Sequence, residues 1–444
     1  MKSFHGGVHP NDSKKYTAAK PIEAAPLPKK VIIPLRQHIG APVSAIVKKG
    51  DAVKKGQLIA RSDAFVSGNV HASVSGKVTE IADYPHAVFG TCPSVVIESD
   101  GLDEWAEGIP MQRQWEKLNS KDLSAIIREA GIVGMGGATF PTHVKLAPPP
   151  DKKIDTFILN GSECEPFLTA DYRSMLEYTD RVATGVKITM KALGVNTGYV
   201  GIEDNKPDAV KALQSAFEGT QVKVVALPTK YPQGAEKMLI VMLTGREVPS
   251  GGLPMDVGVV VQNVGTVIAI SDAVTKGIPL IERVLTVSGS AVKEPKNLLM
   301  RVGSTFADAL SYCGGLNGEL VKIISGGPMM GFAQSTVDIP VIKGTSGILF
   351  LTKKDVNADK ESACIHCGRC VEACPMGLNP SMLSILGERQ FYEEAKEEYN
   401  LLDCMECGSC VYVCPAKRRI VQYIRYAKAQ NAIQAQKEQA KVAI

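Results

Sequence analysis

The 444-residue chain lacks what would commit it to a membrane, a secretory route or a nucleic acid. No segment approaches the roughly 18–20 uninterrupted apolar residues that a membrane-spanning helix needs. The first residues, MKSFHGGVHPNDSKKY, have no apolar signal-peptide core. We therefore expect neither an integral membrane protein nor a secreted one. A strong charge excess is missing too: 50 Lys and Arg face 46 Asp and Glu. The basic residues are spread along the chain, whereas a nucleic-acid binder gathers them on one face, so no nucleic-acid partner is expected. With 45% hydrophobic and 22% charged residues the composition is that of a globular protein. Its length allows about three or four domains.

What the sequence does have is cysteine in an uneven pattern. Eight of the 11 fall into two runs near the C-terminus. The first is Cys364, Cys367, Cys370 and Cys374 followed by Pro375; the second is Cys404, Cys407, Cys410 and Cys414 followed by Pro415. Both read C-x2-C-x2-C-x3-C-P, the spacing of two-cluster ferredoxins. Three closely spaced thiolates reach three corners of a cuboidal 4Fe–4S cluster, and the fourth ligates the other cluster. We assign Cys364, Cys367, Cys370 and Cys414 to one cluster, and Cys404, Cys407, Cys410 and Cys374 to the other. Paired zinc arms would stand further apart in sequence. We expect the fourth cysteine of each run to begin a helix, Gly368 and Gly408 to keep side chains clear of the metal, and residues 381–402 to form a helix between the runs.

A second constellation lies earlier. The loop Gly131-Ile-Val-Gly134-Met-Gly136-Gly137-Ala-Thr-Phe140-Pro follows a predicted helix and runs toward Lys145. Clustered glycines let backbone N–H groups approach a phosphate closely. It is neither a Walker loop nor a Rossmann G-x-G-x-x-G fingerprint. Next, the apolar run Ile154 to Leu159 reads as a short buried strand. It ends in Asn160-Gly-Ser-Glu163-Cys-Glu165-Pro, at the carboxyl edge where open α/β sheets bind ligands.

These two motifs resemble G-R-G-G-x-G-F-P-T-x-x-K and N-x-x-E-x-E-P of the flavin-bearing, NADH-oxidising subunit of respiratory complex I. With the cysteine runs behind them, nearly the whole chain resembles the RnfC family, which belongs to the Rnf ferredoxin:NAD oxidoreductase complex. The resemblance implies that Gly134, Gly136, Gly137 and Lys145 cradle the phosphate and ribityl chain of a non-covalent FMN. Asn160 and Glu163 would face the flavin edge, with Glu165 and Phe140 toward the nicotinamide nucleotide. Tyr231-Pro-Gln-Gly234-Ala-Glu236 resembles Y-x-x-G-E-E, and Gln262-Asn263-Val-Gly-Thr266 resembles N-N-V-E-T, which adds Tyr231, Gly234, Glu236, Asn263 and Thr266 to the flavin site. Met135, Ala235 and Gln262 depart from these patterns.

Other segments carry weaker signals. Val47-x-x-Gly50-Asp-x-Val-x-x-Gly56-Gln-Leu58 looks like a biotinyl/lipoyl-type barrel. Between Ile59 and Val74 there is no lysine to carry a prosthetic group, so this module is structural or docking. Phe4 to Pro10 reads as a turn that docks on the flavin or cluster region. Residues 280–350 read as strands around one helix capped by Thr305, by resemblance a soluble-ligand-binding β-grasp module. Its Gly326-Gly-Pro-Met-Met-Gly331 loop is a candidate contact between flavin and clusters.

The expected architecture is thus multidomain, α/β and α+β. It comprises an N-terminal tail (1–30), a barrel-sandwich module (31–115), a Rossmann-like FMN/NADH domain (116–279), a β-grasp domain (280–355), a helical two-cluster ferredoxin-type domain (356–426) and a helical tail (427–444). Flavin joins two-electron hydride chemistry to one-electron cluster chemistry, and direct hydride transfer asks for no catalytic acid or base. The Rnf resemblance implies an oxidoreductase subunit, peripheral on the cytoplasmic face of the cell membrane. Its partners would be NAD(H), a ferredoxin-like iron–sulfur subunit and integral membrane subunits that move Na+ or H+. The alternatives are a cobalamin-reducing flavoprotein of the propanediol-utilisation type and a non-enzymatic iron–sulfur relay.

Overall fold

The computed structural model describes residues 3–356 and 360–442. Ser120–Glu129 (α1) and Thr142–Lys145 (α2) lead into a central domain. It continues through Thr156–Asn160 (β1), Ala170–Glu177 (α3), Thr179–Leu193 (α4), Thr197–Glu203 (β2), Pro207–Ala216 (α5), Val222–Leu227 (β3), Glu236–Thr244 (α6), Val259–Asn263 (β4) and Val264–Lys276 (α7). The sheet order is β3-β2-β1-β4, all parallel. Phe157, Ile158 and Leu159 of β1 are fully buried. Helices cover both faces of such a sheet, so its inner strand is an unbroken apolar run rather than an alternating one. An Asn119/Asp122 capping box starts α1, and Gly194, Gly245 and Gly277 end α4, α6 and α7 in the left-handed region.

Seven strands between Lys30 and Ser99 build the N-terminal module in two small sheets around Val31, Ile33, Ile59, Val74, Val78, Val95 and Ile97. The hairpin that would carry a prosthetic lysine instead presents Phe65, 55% exposed. It docks on α2, with Phe65 O 2.8 Å from His143 Nε2 and the two rings edge to face.

The β-grasp sheet has six strands, with Ile22–Ala24 on the edge beside Lys296–Arg301. Residues 22–24, expected in a tail, are therefore part of this sheet. Thr305 caps Phe306–Tyr312 as expected, with Asp308 completing the box.

Two expectations about the C-terminal domain are corrected. The stretch 381–402 is not one helix: Pro380–Glu388 and Tyr392–Glu397 are separated at Gln390, whose φ is 66°. The fourth cysteine does not begin a helix either. Each run has a single helical turn, Arg369–Glu372 or Ser409–Tyr412, that contains the third cysteine and stops before the fourth. The expected terminal tail is the far end of helix Ile420–Val442, whose first turns bury Ile420, Val421, Ile424 and Ala427 against the cysteine core. Among the described residues no helix is long and apolar enough to cross a membrane.

Candidate flavin and cluster site

From β1 the chain moves outward through β2 and β3, then returns to place β4 on the other side of β1. The crevice between β1 and β4 is thus the topological switch point, where open α/β sheets hold ligands. Asn160 and Asn263 end these two strands and are partners in register. Asn160 Nδ2 donates to Gly234 O at 2.8 Å, and its Oδ1 accepts the Ser162 N–H at 3.2 Å. Asn263 caps α7 by accepting the Gly265 N–H at 2.8 Å, and its Nδ2 donates to Asp171 Oδ2 at 2.5 Å.

The glycine loop closes over this edge. Gly134 N–H donates to Phe140 O at 2.9 Å, and Met135 N–H donates to Thr266 Oγ1 at 2.9 Å. A Cβ on Gly136 would stand 2.7 Å from Asn263 Nδ2, whereas one on Gly137 would meet no protein atom within 4 Å. Lys145 Nζ reaches Glu236 Oε1 at 3.0 Å and Val261 O at 3.2 Å. Motif residues from segments more than 100 positions apart therefore converge. Ser162 Oγ, Gln262 Nε2 and both side-chain polar atoms of Gln233 are buried near this edge without a partner among the described residues. Buried polar atoms are normally paired. Unpaired polar atoms beside a glycine-lined opening fit a polar, phosphate-bearing ligand such as FMN.

Three carboxyl and hydroxyl groups of these motifs are engaged by the protein itself. The Glu163 carboxylate accepts the N–H groups of Asp171 and Tyr172 at 2.7 and 3.1 Å, capping α3 where the helix dipole favours negative charge. Glu165 accepts the N–H groups of Met329 and Met330 at 3.0 and 2.8 Å, so it holds the Gly326–Gly331 loop of the β-grasp domain. Burial pushes its carboxyl up to about 7. Tyr231 is buried and donates its hydroxyl proton to Cys407 O at 2.7 Å, with Glu165 Oε1 3.5 Å away. Glu165 thus faces the β-grasp loop and Tyr231 the cluster domain.

Sequence reasoning missed Asp171, the buried acid that holds Asn263; burial, then the charge of Glu163, pushes its carboxyl well above the usual carboxylate range. It also missed Lys14, and Lys206, whose Nζ donates to Ser162 O at 2.7 Å beside Glu203. No local spacing marks any of the three. Their roles come from contacts across the fold.

The two cysteine runs repeat each other's backbone. His366 and Glu406 have φ of 54° and 58°, and Gly368 and Gly408 have 74° and 80°. His366 N–H points to Cys364 Sγ and Glu406 N–H to Cys404 Sγ, each at 3.4 Å. The glycines are needed for this left-handed turn. Steric room is a separate matter: a Cβ would be free at Gly368 but 2.7 Å from Met329 O at Gly408. Cys370, Cys374, Cys407 and Cys410 are buried and Cys367 is exposed. Burial, and to a smaller extent a neighbouring thiol of the other run, pushes the Cys374 and Cys370 thiols up; that neighbour is Cys407 for Cys374 and Cys414 for Cys370. That is the proximity crossed ligation requires. Among the described residues no three His, Cys, Asp or Glu side chains gather closely enough for a single metal ion; a cube of four irons spreads its thiolates wider than one ion does.

Comparison with known proteins agrees with this assembly. Residues 2–102 match the RnfC barrel sandwich hybrid domain, 127–272 the Nuo51 FMN-binding domain, 284–333 the SLBB domain and 356–415 a 4Fe–4S dicluster domain. Over 441 residues the chain is 72% identical to the C component of the proton-translocating ferredoxin:NAD(+) oxidoreductase complex of Clostridium ljungdahlii, covering 99% of this chain and 96% of that one. The chain belongs to the RnfC family. Its counterpart in the Na(+)-translocating ferredoxin:NAD(+) oxidoreductase complex of Acetobacterium woodii is 50% identical over 98% of each chain. An NAD+-reducing NiFe hydrogenase chain in its air-oxidised state shares the fold, with a TM-score of 0.51 at 17% identity over 70% of this chain and 64% of that one. This RnfC protein is an electron-transfer subunit of an oxidoreductase complex, with an FMN-binding domain and a domain for two 4Fe–4S clusters.

Proposed function

We propose that this RnfC protein exchanges a hydride between NAD(H) and FMN at the β1/β4 crevice and relays single electrons through its two clusters. When bound, FMN supplies the exchange between paired and single electrons. The glycine-loop amides and Lys145 bind its phosphate and ribityl chain, and Asn160, Asn263 and Thr266 fix the edge against which it lies. Phe140 borders the nucleotide. The cluster held by Cys404, Cys407, Cys410 and Cys374 stands next to the flavin domain, and the one held by Cys364, Cys367, Cys370 and Cys414 is the outer one. The observation that carries this order is the 2.7 Å hydrogen bond from Tyr231 to Cys407 O. At the outer end Cys367 and Ile365 are exposed, a surface suited to an iron–sulfur partner subunit. The domain boundaries expected from the sequence are kept, with residues 22–24 moved to the β-grasp domain.

The relatives are named for complexes that translocate protons or Na+. We propose the same kind of assembly here, with the chain peripheral on the cytoplasmic face and ion movement confined to integral membrane partners. The test is an anaerobic NADH titration of the cluster-reconstituted protein. Bleaching of both flavin and cluster absorbance is expected. Flavin that stays oxidised would overturn the hydride step, and oxidised clusters beside reduced flavin would overturn the relay.

A further inference from the structure

Residues 4–14 thread between the flavin domain and the inner cluster loop and touch both. At one end Gly7 N–H donates to Ala373 O at 2.9 Å. A Cβ on Gly6 would stand 2.8 Å from the backbone carbonyl of Cys374, and Gly6 has φ of 67°, so no larger residue fits this approach. Phe4 is buried beneath Lys230, whose Nζ lies 4.5 Å from the ring centroid and donates to Phe4 O at 2.8 Å. In the middle, Val8 and Tyr231 exchange both backbone hydrogen bonds, at 2.8 and 2.9 Å. Val8, Tyr231, Ala373 and Cys407 form one small apolar core.

At the other end Lys14, 7% exposed, donates to the carbonyls of Glu163, Glu165 and Leu168 at 2.8, 2.9 and 2.6 Å. Phe167 N–H donates to Asp12 O at 2.7 Å. The loop so held is strained: Glu163 and Phe167 have φ of 46° and 68°, a conformation that non-glycine residues keep only when the surroundings impose it. One short segment thus grips the cluster loop, the Tyr231 loop and the Glu163–Leu168 loop.

We infer that residues 4–14 are a positioning strap, which fixes the spacing between the flavin domain and the cluster of Cys404, Cys407, Cys410 and Cys374. Electron transfer between fixed sites is sensitive to small displacements, as other geometry-dependent steps are. The strap therefore sets the relay rate by holding the Cys374 backbone and packing against Cys407, two of the residues that bind the inner cluster. His5 and His9 are exposed on it and play no part in the grip. The inference rests on the proposed relay, but its structural half is testable without it.

Phe4→Ala and Gly6→Ala are the test variants, the first kept away from the cysteines so that cluster assembly is undisturbed. Hydrogen–deuterium exchange of the full-length protein should show faster exchange at Ala373–Cys374 and Tyr231 in both variants. In stopped-flow, NADH should reduce the flavin at the parent rate while cluster bleaching slows on the order of tenfold. Unchanged exchange would overturn the strap. Faster exchange with cluster bleaching at the parent rate, or with flavin reduction slowed equally, would overturn its role in spacing. If the parent protein shows no cluster bleaching, the relay itself is wrong, and the exchange data alone decide whether the segment clamps the junction.

Discussion

Gly136 and Asn263 touch across the flavin crevice: a Cβ on the glycine would fall 2.7 Å from Asn263 Nδ2. The amide that caps α7 therefore also sets the floor of the glycine loop. This contact joins segments 127 positions apart. It makes the loop's glycines unequal, because Gly137 faces open space.

That inequality gives the first prediction. Gly136→Val should displace Asn263 and abolish flavin retention while cluster absorbance persists. Gly137→Ala should leave thermal stability within about 0.5 kcal/mol of the parent yet still weaken flavin binding, because only the ligand meets the added methyl. Flavin-to-protein ratios and melting curves of both variants check this. Full flavin content in both would remove the loop from the site.

Cys374 tests the crossed ligation. Cys374→Ala should damage the cluster built by Cys404, Cys407 and Cys410 and leave that of Cys364, Cys367, Cys370 and Cys414. Iron content and electron paramagnetic resonance of the reduced variant report which cluster survives. Loss of the other would mean that each run ligates its own cluster.

Tyr231→Phe removes the donor to Cys407 O and leaves a buried carbonyl unpaired at a cost of about 1–3 kcal/mol. We expect normal flavin content, a lower melting temperature and slower cluster bleaching after NADH addition. Bleaching at the parent rate would show that the hydroxyl does not hold the inner cluster loop.

Lys343 predicts a pH dependence. It is buried, donates to Asn69 O and Gly131 O at 2.6 and 2.7 Å, and so joins the β-grasp domain to the barrel and the flavin domain. Burial pushes its ammonium down to about 7, whereas the unfolded side chain stays near about 10.4. Between those values the unfolded chain holds a proton that the folded protein has released. Stability should therefore rise with pH across that window, by up to about 1.4 kcal/mol per pH unit, and lose this slope below it. Urea midpoints at about pH 7 and about pH 9 for the parent and Lys343→Met check this, since the variant should lack this contribution to the slope.

The cysteine runs, the glycine loop and the strand ending at Asn160 were legible because their chemistry is local. Ligand spacing, clustered glycines and an apolar run are each written within a dozen residues. The helix expected over 381–402 failed for a local reason that apolar and charged patterning does not carry: Gln390 turns left-handed and ends the first helix. A carboxylate following a strand has two uses, and nothing local announced that the Glu163 carboxylate is held at the N-terminus of α3. Glu165 was expected on the nucleotide side and Tyr231 in the flavin site, whereas both side chains bond to distant segments. Their partners, Met329, Met330 and Cys407, lie between 164 and 176 positions away, and nothing local announces them.

The sequence by itself determined which cofactors this RnfC protein can hold, because thiolate spacing and backbone access to a phosphate depend on neighbours along the chain. Only the tertiary structure brought the Cys407 loop against the flavin domain and showed what keeps it there. Those answers rest on Tyr231 against Cys407, Gly6 against Cys374 and Lys14 beneath Glu165. Such contacts form only when separately folded elements pack together.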